Sequence, residues 1–194
     1  MSCNTYVKQA YESKKYAFVA DYARFWALEK EGGLYFDTDV EVIRNFDELL
    51  LNEAFAGFET NDYVAPGLVL YVKQKQNKII KSACEWYKNA SFLDENGNII
   101  PHTVCTVFSN ILKEYGFEPN GKLQNCDGMI IYPIDYFNPY DDATGKLNKT
   151  KNTYTIHWYA KSWFSKKQRV RSKITQVFHR VFGKDCFNKF KNKK

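Results

Sequence analysis

The sequence has no run of 18 or more apolar residues, so it offers no transmembrane helix. Met1 to Lys14 contains no apolar stretch behind a basic stub, and no secretory signal is expected. Glycine and proline are scarce, 10 and 5 in 194 residues, which excludes collagen-like, fibrous and wholly disordered chains. The 5 cysteines (Cys3, Cys84, Cys105, Cys126, Cys186) are odd in number and never spaced as CxxC, so neither a disulfide framework nor a zinc site is indicated. Free thiols in a reducing compartment fit better, and a cytoplasmic address is expected by default. Acids are nearly missing from one segment only. Residues 165–194 hold 11 Lys or Arg against the single acid Asp185, a balance of +10, whereas residues 1–164 hold 17 bases and 21 acids, a balance of −4. The body is mildly acidic, and no nucleic-acid partner is expected.

Aromatic residues are abundant, with 14 Tyr, 15 Phe and 4 Trp, enough to build a sizeable core. Residues 4–31 read as helical with a break near Ser13–Lys15, capped by Asn4 or Thr5 and stopped by Gly32-Gly33. Leu34 to Phe36 reads as a short buried strand, and Val40, Val42 and Ile43 continue extended. Ala54–Phe58, Leu68–Val72, Gly128–Pro133 and Thr153–Trp158 have strand character, while Asn77–Tyr87 and Thr103–Tyr115 have helical periods. Helices alternating with short apolar strands indicate an α/β domain over 1–164 with a tail at 165–194.

The stretch from Lys15 to Leu50 carries the chemistry. Asp21 and Arg24 are three apart and share a helix face. They sit among Phe18, Val19, Tyr22, Phe25 and Trp26, where a fully solvated ion pair is hard to draw. Asp37 and Asp39 leave the strand end together, and two such carboxylates suit Mg²⁺ or Mn²⁺ with positions left for phosphate oxygens. An Asp-x-Asp alone is weak evidence, because acidic loops show it by chance. A dehalogenase-like phosphatase also follows a strand with DxD, but wants Thr or Val where Glu41 stands.

The compound pattern AxxADYARxxxLxxEGGLYxDTDVxxxxxxDELL resembles the glycosyltransferase family 32 signature, the DXD sugar-binding region of capsular polysaccharide transferases and initiating mannosyltransferases. It is also similar to the matching part of the large clostridial glucosylating toxins. Tyr132-Pro133, Tyr136 to Pro139, His157-Trp158 and Ser162-Trp163 extend the resemblance over residues 4–164. The resemblance implies a GT-A-like mixed sheet flanked by helices. It implies metal-dependent, retaining transfer from a nucleotide-sugar donor to a glycan or lipid-linked glycan of a surface polysaccharide. Asp21 and Arg24 would hold the sugar hydroxyls, Asp37 the sugar or ribose and the metal, Asp39 and His157 the metal, and Ser162 and Trp163 the diphosphate. Catalytic roles would fall to Asp21, Arg24 and Asp37. Family members usually begin with a further α/β unit, and an N-terminally short chain is expected. An inactive remnant serving as a binding or assembly protein is therefore the rival reading.

In the tail, Val170, Ile174, Val177, Phe178, Val181 and Phe182 form one helical stripe with Lys and Arg on the remaining face. Either this helix lies on an anionic membrane, placing the protein peripherally at the inner face, or it packs on the body. The periodicity leaves both open.

Overall fold

The computed structural model describes residues 4–160, 165–183 and 186, apart from the side chains of Lys166 and Arg169. In chain order the elements are α1 (Thr5–Glu12), α2 (Tyr16–Glu31), β1 (Gly33–Tyr35), β2 (Val40–Val42), a 3-10 turn (Leu49–Leu51), β3 (Ala54–Gly57), β4 (Leu70–Val72), α3 (Lys78–Asn89), α4 (Val104–Lys113), β5 (Gln124–Cys126), β6 (Met129–Tyr132), α5 (Ile134–Phe137), β7 (Tyr140–Asp141), β8 (Lys146–Leu147), β9 (Thr155–His157) and α6 (Lys166–Phe182). The protein is mixed α/β. It divides into two compact units, one of residues 1–37 and 46–134, the other of 38–45 and 135–194.

In the first unit, Asn4 caps α1 by accepting from the Val7 N–H at 2.8 Å. The expected break before α2 occurs at Lys14, whose φ is +56°, and α2 ends where Gly32 and Gly33 take φ of +69° and +99°. The reversal feeds β1 into a mixed sheet of order β1-β4-β3-β6-β5, in which only β3 and β6 are parallel. Every residue of β3 is buried, as its unbroken apolar run Ala-Phe-Ala requires of a central strand. Helices α2, α3 and α4 cover one face, with Phe25 packed on Tyr87 and Phe108 at ring separations of 5.9 and 5.3 Å. Strand β5 has no counterpart in the sequence reading. Gln124, Asn125 and Cys126 lack apolar alternation, and the strand forms because Asp127-Gly128 turns it back along β6.

In the second unit β2 pairs antiparallel with β9, register Val40↔His157 through Val42↔Thr155. Asp135 anchors the loop before β9, accepting from the Thr150 hydroxyl through Oδ2 and from the Thr153 hydroxyl through its carbonyl, both at 2.8 Å. Helix α6 starts on a reciprocal cap between Ser165 and Gln168. Its polar arc meets the turn of the β7–β8 hairpin. Gln176 donates to the Asp142 carbonyl at 2.8 Å, and Arg180 donates to the Thr144 and Gly145 carbonyls at 3.0 and 2.7 Å. The stripe Val170, Ile174, Val177, Phe178, Val181, Phe182 is exposed. No described helix is long and apolar enough to cross a membrane.

Candidate functional site

Helix α2 carries Asp21 and Arg24 one turn apart, and Arg24 is buried along with the helix's Tyr22, Phe25 and Leu28. Arg24 Nη2 donates to Asp21 Oδ1 at 2.7 Å, with side-chain exposures of 5% and 13%. This is a buried pair, not a solvated one. Arg24 Nη1 lies 3.2 Å from Asp37 Oδ1 and is buried without an aligned hydrogen bond. The guanidinium stacks over Tyr35, 5.0 Å from its centroid, and the Tyr35 hydroxyl donates to Asp37 Oδ1 at 2.9 Å. Two carboxylates thus flank one arginine.

Burial pushes the Asp21 carboxyl up to about 6; the Asp37 charge adds to this and the Arg24 charge opposes it. Burial works against the Arg24 charge, but the carboxylates of Asp21 and Asp37 outweigh it and hold the guanidinium more firmly protonated. Desolvation also raises Tyr35, to about 12, so its hydroxyl keeps the proton that it donates to Asp37.

The loop before β4 completes this cluster. The Gly67 carbonyl accepts from the Asp37 N–H at 2.9 Å, and a Cβ at Gly67 would lie 2.8 Å from Asp37 Cγ and 2.9 Å from Arg24 Nη1. Gly67 is required by space, since the Asp37 carboxylate occupies the volume that a side chain would take. Sequence reasoning passed over both Tyr35 and Gly67. Tyr35 carried a signal, being two residues from Asp37 on the same strand side. Gly67 carried only its place after Pro66, which says turn and nothing of a close approach.

Asp39 opens the second unit's part of the motif, with Thr38 alone between it and Asp37 in sequence. Its Oδ1 lies 3.0 Å from His157 Nε2, its Oδ2 accepts from the Ala160 N–H at 2.8 Å, and its carbonyl accepts from the Trp158 N–H at 3.0 Å. The β2–β9 register produces this meeting by setting Val40 opposite His157. Trp158 Nε1 donates to Glu41 at 2.8 Å across the same ribbon, and the His157 ring lies 4.0 Å from that of Tyr159. His157 Nδ1 is buried without a hydrogen-bond partner among the described residues.

A carboxylate oxygen and an imidazole nitrogen 3.0 Å apart match two adjacent ligands of a six-coordinate ion at about 2.1 Å, whose separation is roughly 3 Å. The carboxylate oxygen suits Mg²⁺ or Mn²⁺, and the imidazole nitrogen favours Mn²⁺, the transition metal of the two. The structure therefore brings Asp21, Arg24 and Asp37 together in one unit and Asp39 and His157 together in the other. Ser162 and Trp163 lie outside the described residues.

No curated protein and no solved structure matches the chain. Residues 2–56 match the family described as the glycosyltransferase sugar-binding region containing a DXD motif. The matched span runs from α1 to β3 and includes Asp21, Arg24, Asp37 and Asp39, so this part of the chain is similar to a glycosyltransferase sugar-binding region and the similarity supports a glycosyltransferase relation.

Proposed function

We propose that the protein is a metal-dependent retaining glycosyltransferase with a GT-A-like domain, moving a sugar from a nucleotide-sugar donor to a surface-glycan precursor. The buried arginine between two carboxylates carries the reading. Arg24 Nη1 is a charged donor with no aligned partner, and Asp21 and Asp37 retain acceptor lone pairs around it. A cis pair of sugar hydroxyls, each both donor and acceptor, is the ligand type that satisfies such a set. Arg24 is ion-paired to both carboxylates, but a buried N–H donor left without an aligned acceptor is costly, and a polar ligand at Nη1 would relieve that cost.

Arg24 donates to one hydroxyl in this scheme, while Asp21, ionised above about pH 6, accepts from its neighbour. Tyr35 and the Gly67 carbonyl keep the Asp37 carboxylate and backbone in place. Asp39 and His157 would hold the divalent cation, which when bound supplies the charge neutralisation that a departing nucleoside diphosphate needs. His157 Nε2 would carry no proton in that state, with the proton on Nδ1. The described residues offer no activated nucleophile beside Asp21 and Arg24. The acceptor hydroxyl is then the attacking group on the face from which the diphosphate leaves: its oxygen bonds to the anomeric carbon as the carbon–oxygen bond to the diphosphate breaks, and its proton passes to the departing diphosphate oxygen, with retention.

The test is diphosphate release from a panel of nucleotide sugars with Mn²⁺ or Mg²⁺, in wild type and Arg24→Lys. Metal-dependent release that the lysine variant loses supports the reading. Tight nucleotide-sugar binding without turnover on any donor would instead favour a binding protein.

A further inference from the structure

We infer that the exposed face of α6 is a membrane-contact surface, which seats the protein on the headgroup layer of an anionic lipid bilayer. The inference stands independently of the transferase reading. Val170, Ile174, Val177, Val181 and Phe182 are 59%, 54%, 62%, 66% and 68% exposed, and Phe178 is 44% exposed. At about 100° per residue these six span an arc of roughly 140°. Gln176, His179 and Arg180 fall on the opposite arc, which bonds to the carbonyls of Asp142, Ala143, Thr144 and Gly145. The helix is thus attached the wrong way round for a core helix. Its polar side faces the protein and its apolar side faces out, in one contiguous stripe of a kind that marks an interaction site.

Charge selects the occupant. No acid occurs between Ser165 and Gly183; the exposed Lys173 borders the stripe, and the exposed Lys167 and Arg171 fall within its arc toward the helix N-terminal end. A second copy of α6 would set one helix of six Lys or Arg and no acid against another, whereas anionic headgroups suit both the stripe and the basic residues in and beside it. Seventeen residues make a helix of roughly 26 Å, and with its basic content it would lie along the surface, its lysine and arginine stems reaching outward to the headgroups.

The test uses the full chain in co-sedimentation with vesicles of phosphatidylcholine plus phosphatidylglycerol, and with phosphatidylcholine alone. Wild type should partition at least tenfold more onto the anionic vesicles, with binding falling as salt rises. Val177→Asp with Val181→Asp should cut that binding at least tenfold, with the melting temperature unchanged because both sites are exposed. Lys167→Gln with Lys173→Gln, which keeps good helix formers, should weaken it about fivefold per charge and flatten the salt dependence. Three results overturn the inference: no binding to anionic vesicles at low salt, an aspartate variant that binds like wild type, or a concentration-dependent dimer of wild type that the aspartate pair abolishes.

Discussion

Replacing Gly67 with alanine tests whether the Asp37 carboxylate is held where the transferase reading needs it. The added Cβ would sit 2.8 Å from Asp37 Cγ and 2.9 Å from Arg24 Nη1, inside contact distance of both. Arg24 is 5% exposed and fixed by Asp21, so Asp37, at 31% exposed, is the group that yields. Turning it away breaks the 2.9 Å bond from Tyr35 and the 3.2 Å approach to Arg24. Hydrogen bonds to charged groups contribute about 1.5–3 kcal/mol, and water recovers part of that at a carboxylate one-third exposed, so the net cost is about 2 kcal/mol. For a chain of this length that lowers the melting temperature by roughly 4–8 °C. Affinity for the nucleotide sugar should fall with it. Asp37→Ala removes the obstructed group, so adding Gly67→Ala to it should cost less than half as much as in wild type, a coupling of about 1 kcal/mol or more. Equal costs in the two backgrounds, measured by thermal melting, would refute the close-approach argument.

Asp39→Asn keeps the shape and loses the charge; calorimetry should show metal-dependent diphosphate binding abolished, with the fold intact by circular dichroism. Arg24→Leu leaves Asp21 and Asp37 facing each other without their cation, and should destabilise by about 3–5 kcal/mol in urea titrations near neutral pH, less in acid as Asp21 takes a proton. The raised Asp21 group fixes a pH window. Between about 4 and 6 the folded state keeps a proton that the unfolded state has released, so wild type should lose stability relative to Asp21→Asn as pH rises through that range, by at most about 3 kcal/mol, and the difference should be flat above it. In the same window donor affinity should fall as pH drops below about 6 and Asp21 ceases to accept, a dependence that titration calorimetry should find missing in Asp21→Asn.

What the sequence made legible follows the range of the interactions. The Asp21–Arg24 pair is local, set by three-residue spacing on a helix, and its apolar neighbours already argued for the burial that the structure gives it. The division of residues 4–31 into two helices was likewise readable, because the signals at Asn4, Lys14 and Gly32-Gly33 act within a turn of the chain. The meeting of Asp39 and His157 spans 118 residues, and no period in the sequence encodes it; only the family resemblance suggested it. Gly67 escaped notice because its requirement comes from a side chain 30 positions away. For α6 the period gave the stripe but not its direction. An amphipathic helix usually turns its apolar side inward, and here hydrogen bonds from Gln176 and Arg180 to a hairpin turn hold it the other way.

The β2–β9 pairing has a consequence for the order in which the protein is made. Asp39 waits for His157, which emerges from the ribosome 118 residues later. At about 5–20 residues per second that is a delay of roughly 6–24 s. The segments of the first unit are complete at residue 134, so its arginine and carboxylates have all their partners before the second strand of the ribbon exists. During that interval residues 38–45 are a tethered segment between finished strands, with unmet backbone groups and an early opportunity for mispairing. The exposed acid Glu41 within β2, and the brevity of the strand itself, make that nascent edge a poor template for other chains.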